Sequence, residues 1–312
     1  MGIEIRPIDD ADPQALAGLL AARHADHRAH EPLTPDSDPA AEVAGVLGVE
    51  GRHGVLALRD GVPAGYLVAE LRHRDLWGAH GWVPPAGHAA DDPEVIRDLY
   101  AAVAEDWIEA GARLQFALVP SIAAAMEPWY RLAFAQMQVH AIRPSGGDAP
   151  AVPAGVRIRA GGPDDLAGVA DSLGSVVWEH QRGPAAFSGL PARIPDGLAE
   201  SWRTAFELPG AALWLAECDG DLAGYMFLYE SSDDPGSRPD ATHIGSAAVA
   251  AEHRGAGVGR ALAENAAVWA EEEGYATITA DWRVANLQAS RFWPARGFRP
   301  VYHRMARLVG IG

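Results

Sequence analysis

Apolar residues recur along this chain in helical and strand rhythms, and the order of the rhythms is used twice. In Ala261-Leu262-Ala263-Glu264-Asn265-Ala266-Ala267-Val268-Trp269 the apolar positions Ala261, Leu262, Ala266 and Trp269 predict a helix. Tyr275-Ala276-Thr277-Ile278-Thr279-Ala280-Asp281 alternates as a strand does. Ser246-Ala247-Ala248-Val249 is short and apolar and reads as the end of another strand. Ile3-Glu4-Ile5-Arg6 is echoed by Val156-Arg157-Ile158-Arg159, each expected as a first strand. Asp12-Pro13-Gln14-Ala15-Leu16 parallels Pro163-Asp164-Asp165-Leu166 as a helix start. Gly61-Val62-Pro63-Ala64-Gly65-Tyr66 parallels Gly220-Asp221-Leu222-Ala223-Gly224-Tyr225 as a hairpin turn entering a strand. Trp129 to Phe134 falls where Phe292 to Phe298 falls.

Between the two copies, residues 144–155 are breakers and small residues and read as a linker. The expected organisation is two similar units, 1–143 and 156–312, each α/β (α+β) with a mixed, mostly antiparallel sheet flanked by helices. At 312 residues the chain is long for one such unit and comfortable for two.

The run Arg254-Gly255-Ala256-Gly257-Val258-Gly259 stands between a strand end and a helix. Glycines let backbone approach a bulky ligand. The free amides and dipole of a helix N-terminus favour an anion there, and a pyrophosphate fits. Two nucleotide loops are excluded by spacing. One requires Lys-Ser/Thr after the last glycine, where this chain has Arg260-Ala261. The other requires G-x-G-x-x-G, whereas these glycines alternate.

Arg-x-x-Gly-x-Gly before a helix instead resembles the acetyl-CoA loop of the GCN5-related N-acetyltransferases (GNATs). Asn286-Leu287-Gln288-Ala289-Ser290-Arg291-Phe292-Trp293-Pro294-Ala295-Arg296-Gly297-Phe298 is similar to that family's closing element, Asn-x-x-Ala-x-x-Phe-Tyr-x-x-x-Gly-Phe. The two motifs lie in the family's order, and the resemblance covers the chain from about Gly155 onward. It implies two tandem GNAT-like domains with a catalytic C-terminal half. That half would move an acetyl group from acetyl-CoA to the amine of a small molecule. Gly255, Gly257 and Gly259, with the amides of Ala256, Val258 and Arg260, would cradle the pyrophosphate. Arg254 and Arg260 would add charge. Val249 and its strand would pair with the pantetheine arm. Asn286 would lie near the arm, cap the following helix, or do both.

The family often places a glutamate base on its fourth strand, but Thr242 to Val249 carries no acid. His243 shares a strand face with Gly245, Ala247 and Val249, and an unperturbed imidazole pKa near ~6.5 suits a base. Glu230, Asp281 and Glu179 are the other candidates, Asp281 equally as an anchor for a substrate ammonium. Trp293 stands where the family has its tyrosine acid. An indole N–H donates no proton at neutral pH, so Trp293 is expected to pack against the coenzyme. Tyr302 or His303 would then be alternative acids. The family walls its acceptor site with the region matching His180 to Ala205. The missing tyrosine and glutamate leave open a non-catalytic acyl-CoA-binding sensor or regulatory protein. In the N-terminal copy the loop position holds Trp82-Val83-Pro84-Pro85-Ala86-Gly87-His88-Ala89-Ala90-Asp91-Asp92-Pro93-Glu94. Its prolines remove amide donors, and Asp91, Asp92 and Glu94 put acids at the helix start. This half is expected not to hold coenzyme A.

Net charge is −17, and arginine supplies all the basic charge because lysine is absent. Such a surface repels nucleic acid. It would draw cationic small molecules or simply keep the protein soluble. The single cysteine, Cys218, excludes an internal disulfide and suggests a reducing compartment. No charged-then-apolar leader and no bilayer-length apolar run is present. The expectation is a cytoplasmic protein with no metal and no membrane partner.

Overall fold

The computed structural model describes residues 2–74, 78–148, 151–182, 203–231, 235 and 238–310, without the side chains of Asp10, Arg74 and residues 175–182. In chain order the strands begin β1 (Ile3–Pro7), β2 (His53–Arg59), β3 (Val62–Arg74), β4 (Gly78–Val83), β5 (His88–Ala90) and β6 (Leu114–Pro120). The helices among and after them are α1 (Pro13–His30), α2 (Pro39–Leu47), α3 (Val95–Glu109) and α4 (Ala123–Arg131). Then come β7 (Ala135–Pro144), β8 (Val156–Gly161), α5 (Leu166–Arg182), β9 (Ala212–Cys218), β10 (Asp221–Tyr229) and β11 (Ala241–Val249). The chain finishes with α6 (Val258–Glu272), β12 (Thr277–Arg283), α7 (Leu287–Phe292) and β13 (Arg299–Leu308).

Two compact units result, but they do not divide the chain sequentially. One is Met1–Val139 with Pro300–Gly312, and the other is His140–Arg299. The sequence predicts 1–143, a linker and 156–312; by contacts the crossing falls inside β7, and the last strand goes with the first unit. The reason lies in β6, which is buried along nearly its whole length and cannot stand at a water-facing sheet edge. Antiparallel β13 pairs with it from Tyr302↔Pro120 to Leu308↔Leu114 and carries Met305 into the core.

In the first unit the sheet order is β1-β2-β3-β4-β6-β13, with β5 pairing further along β3. Alternation along β3 serves both faces. Leu67 and Ala69 pack with Leu99, Val103, Trp107 and Trp129 of α3 and α4. Tyr66 and Val68 pack with Leu16, Leu20 and Val43 of α1 and α2. In the second unit the order is β7-β12-β11-β10-β9-β8. Leu213, Leu215, Tyr225 and Phe227 face Leu166, Val169 and Leu173 of α5. On the other face Trp214 meets Trp269 of α6 edge-on. No helix among the described residues is long and apolar enough to cross a membrane.

The repetition extends to backbone detail. The β2–β3 and β9–β10 hairpins turn through Asp60-Gly61 (φ 52° and 80°) and Asp219-Gly220 (φ 52° and 96°). Two successive positive φ values match the right-handed twist of the flanking strands, and Asp-Gly supplies them at low cost. A one-residue bulge follows each turn, at Ala64 and at Ala223.

Candidate active site

In the second unit β11 and β12 run parallel and paired only from Ala241↔Thr277 to Ile244↔Ala280. β11 then continues to Val249 and β12 to Arg283 without pairing to each other. On its other side β11 stays paired to β10 as far as Val249↔Gly224. Gly245 is an extra residue there, since Leu228 opposes Ile244 and Phe227 opposes Ser246. The bulge thus falls where the strands part. A β-carbon on Gly245 would lie 2.1 Å from the Tyr229 ring, so glycine lets that ring lie across the strand. Tyr229, Gly245, Ser246, Tyr225, Phe227 and Leu166 are among the residues lining a mostly apolar cavity of about 150 Å³.

His243 and Asp281 meet at the point of parting. His243 is buried and edge-on to Tyr229, with Nδ1 2.9 Å from Thr279 Oγ1, its register partner on β12. Its Nε2 is 3.5 Å from Asp281 Oδ1; the histidine side chain is 7% exposed and the aspartate 33%. Burial pushes the Asp281 carboxyl up. The hydrogen bond from His243 and the charges of His140, His243 and Arg283 outweigh burial and hold it at about 2. Two of the four expected acid–base candidates, His243 and Asp281, are therefore together. Glu230 is elsewhere, exposed just beyond β10, where it accepts a hydrogen bond from Tyr275 at 2.9 Å. Thr279, Tyr229 and Gly245 were not singled out in the sequence. A lone glycine inside a strand pattern is the one signal that pointed to the bulge.

Beyond Val249 the chain makes a turn, and Gly255 (φ 78°) and Gly257 (φ 89°) take left-handed conformations before α6. Gly257 is the N-cap and supplies no side-chain acceptor. Hydrogen bonding into the helix begins with Ala261 N donating to Gly257 O, so the amides of Val258, Gly259 and Arg260 have no intrahelical acceptor. A β-carbon at Gly259 would come into contact with Val249 and Phe292 at 3.4 Å. Arg254 donates from Nε to Val249 O, tying the loop to the strand end, and its side chain is exposed. Arg260 is exposed and pairs with Glu264 one turn on. A hollow of about 480 Å³ includes Arg260, Arg143, Arg296 and Glu264 in its walls.

Asn286 caps α7, its Oδ1 accepting from Gln288 N and Ala289 N at 3.2 Å, which leaves the amide group of its side chain for other contacts. Trp293 is buried, edge-on between Phe292 and Phe298. Tyr302 and His303 are placed in the first unit. Tyr302 is edge-on to His27, and His303 Nδ1 lies 2.8 Å from Ser121 Oγ. Residues 183–202 of the expected acceptor wall lie outside the described residues, as does the side chain of Glu179.

Residues 178–298 match the family model described as Acetyltransferase (GNAT) family. That stretch, less than half of the chain, is similar to the GNAT family. Over 106 residues it is 28% identical to human N-acetyltransferase 8B, a match covering 33% of this chain and 46% of that protein. The likeness in fold covers nearly everything. A GCN5-related N-acetyltransferase from Sphaerobacter thermophilus superposes with a TM-score of 0.58 at 17% identity, covering 98% of this chain and 95% of its own. A tandem GNAT protein from the clavulanic acid biosynthesis pathway gives 0.50 at 17% identity, with 100% of both chains covered.

Each unit has the same strand parting, but the first fills it. Parallel β4–β6 pairing ends at Val83↔Ala117. Past that point His88 on β5 bonds from Nε2 to Leu118 O at 2.9 Å, with Trp129 edge-on to its ring. The acids before α3 are engaged as well. Asp91 pairs with Arg59, Glu94 pairs with Arg97 and Arg131, and Asp92 Oδ1 accepts from Glu94 N.

Proposed function

We propose that the second unit is the catalytic one and transfers an acyl group, acetyl in the first instance, from acyl-CoA to the primary amine of a small molecule. One observation carries this reading. The parting of β11 and β12 has a histidine–carboxylate pair at its apex and an uncapped glycine loop at the end of the same strand. Gly255, Ala256, Gly257, Val258, Gly259 and Arg260 would hold the pyrophosphate, with Arg254 adding charge. The open edge of β11 through Val249 would receive the pantetheine arm as an added strand. Asn286 and the Trp293 cluster would support the arm. Bound there, acyl-CoA supplies the activated thioester.

The chain's own groups would ready the amine. Asp281, the more exposed of the pair, is too weak a base at a pKa near 2 to deprotonate an ammonium. It draws the ammonium in and orients it. Neutral His243 with Nδ1–H donated to Thr279 Oγ1 can take a proton at Nε2, and the Nε2–H bond to Asp281 forms once the ring is protonated. His243 takes the ammonium proton, and Asp281 then neutralises the imidazolium. The apolar cavity beside Gly245 suits an acceptor with a compact apolar body. In the first unit His88 occupies the corresponding parting, which supports one coenzyme per chain.

A non-catalytic acyl-CoA sensor is the second reading, favoured by Trp293 standing in a tyrosine's place. The deciding experiment couples calorimetry with acetyl-CoA to thiol release over a panel of small primary amines. Binding at one site with amine-dependent thiol release supports the enzyme. Binding without release for any amine supports the sensor, and two equivalent sites overturn the assignment of one unit.

A further inference from the structure

The first unit contains a guanidinium edge that the described residues leave unsatisfied. Arg23 lies on α1, and Nη1 donates to His88 O at 2.5 Å. Its Nε and Nη2 are buried and meet no acceptor among the described residues. Those two nitrogens share the side edge of the group, and their N–H bonds run parallel. That fork matches the two oxygens of a carboxylate. The nearby acid is already spoken for: Glu42, whose charge interacts with Arg23, is bonded to His24 Nε2 at 3.0 Å.

One turn along the same helix, His27 is fully buried and bonded from Nε2 to Val301 O at 2.8 Å. A carbonyl only accepts, so Nε2 carries the hydrogen and Nδ1 presents a lone pair. That Nδ1 is also buried without a partner among the described residues. Residues four apart share a helix face. A forked donor and a lone acceptor therefore lie next to each other, and buried groups of this kind are rarely left unpaired in native proteins.

We propose that this pair is a binding site for a small hydroxy- or amino-carboxylate, its carboxylate on Arg23 Nε and Nη2 and its O–H or N–H donated to His27 Nδ1. The site belongs to the first unit and does not depend on the acyl-transfer reading of the second. An acid without a second donor, such as acetate, engages only Arg23 and binds less tightly. The experiment is calorimetry and thermal melting of the full chain with lactate, glycine, acetate and inorganic phosphate at constant ionic strength. Lactate or glycine should bind saturably, raise Tm and bind more tightly than acetate. Arg23→Lys, which keeps the charge and loses the fork, should weaken binding at least about tenfold while acetyl-CoA affinity is unchanged. A crystal of the wild-type protein soaked in the best ligand, with its carboxylate on Nε and Nη2, supports the proposal even if the variant fails to fold. Overturning results are no carboxylate binding, equal binding by a folded Arg23→Lys variant, tighter binding of phosphate than of every carboxylate, or a water alone on the Arg23 edge in the soaked crystal.

Discussion

At the parting of β11 and β12 the group that meets solvent is a carboxylate, and the group able to accept a proton stands behind it. This order assigns different kinetic signatures to the two residues. His243→Ala should lower kcat/KM by about a hundredfold or more, the range for losing a general base, and abolish the acidic limb of its pH profile. Asp281→Asn should mainly raise KM for the amine, because the attraction for the ammonium is lost while the imidazole remains. Steady-state kinetics with the amine varied separates the two, and equal loss in both parameters for both variants would sink the division of labour. The histidine and the aspartate were each legible in the sequence, but their partnership was not. It depends on a parallel register that places His243 opposite Thr279, and no local pattern encodes that. Trp293 packs edge-on between Phe292 and Phe298. Trp293→Phe should keep kcat within about tenfold, a barrier change below roughly 1.4 kcal/mol. Trp293→Ala should cost about 3–5 kcal/mol in unfolding free energy, as for other buried aromatics, measured by denaturant titration.

Among the elements, α6 was the most legible, because glycine spacing, helix start and apolar face lie in one contiguous run. Its uncapped amides make a specific expectation. Gly257→Asp puts a carboxylate among them and also strains a left-handed position (φ 89°). Acetyl-CoA binding should fall below detection in calorimetry, and wild-type affinity in a folded variant would refute the loop's role. The two hairpins were equally readable, since Asp-Gly names its own turn. The bulge at Gly245 was less so. A glycine in a strand announces a close approach without saying to what, and the answer is the Tyr229 ring of the neighbouring strand. The closing of the first unit's parting was hidden for the same reason. Prolines and acids marked a poor coenzyme loop, but the His88 bond to Leu118 is a tertiary fact.

For the whole molecule, the repeat was visible and the interleaving was not, because a strand's pattern fixes which residues face a core and leaves open whose core it is. β13 alternates acceptably for either unit, yet it completes the first. That unit should be sensitive to mild acid. Burial lowers His27 to about 4, even against its bond to Val301, and lowers His88 to about 3. Both are neutral when folded and take protons near ~6.5 when unfolded, so their contribution is full above that pH. It declines as pH falls toward 4, by about 3 kcal/mol for His27 alone. Removal of β13 should act on the same unit at neutral pH. A chain ending at Phe298 leaves β6 without its outer partner and His27 without its acceptor, and it takes Met305 from the core. The second unit, His140–Arg299, loses only its last residue. Hydrogen exchange on the truncated protein should therefore show α1 and β6 unprotected, while α6 and β10 exchange slowly. Wild-type protection in α1 and β6 would show that the first unit folds without its returning strand, and uniform loss would show that the two units fold only as one.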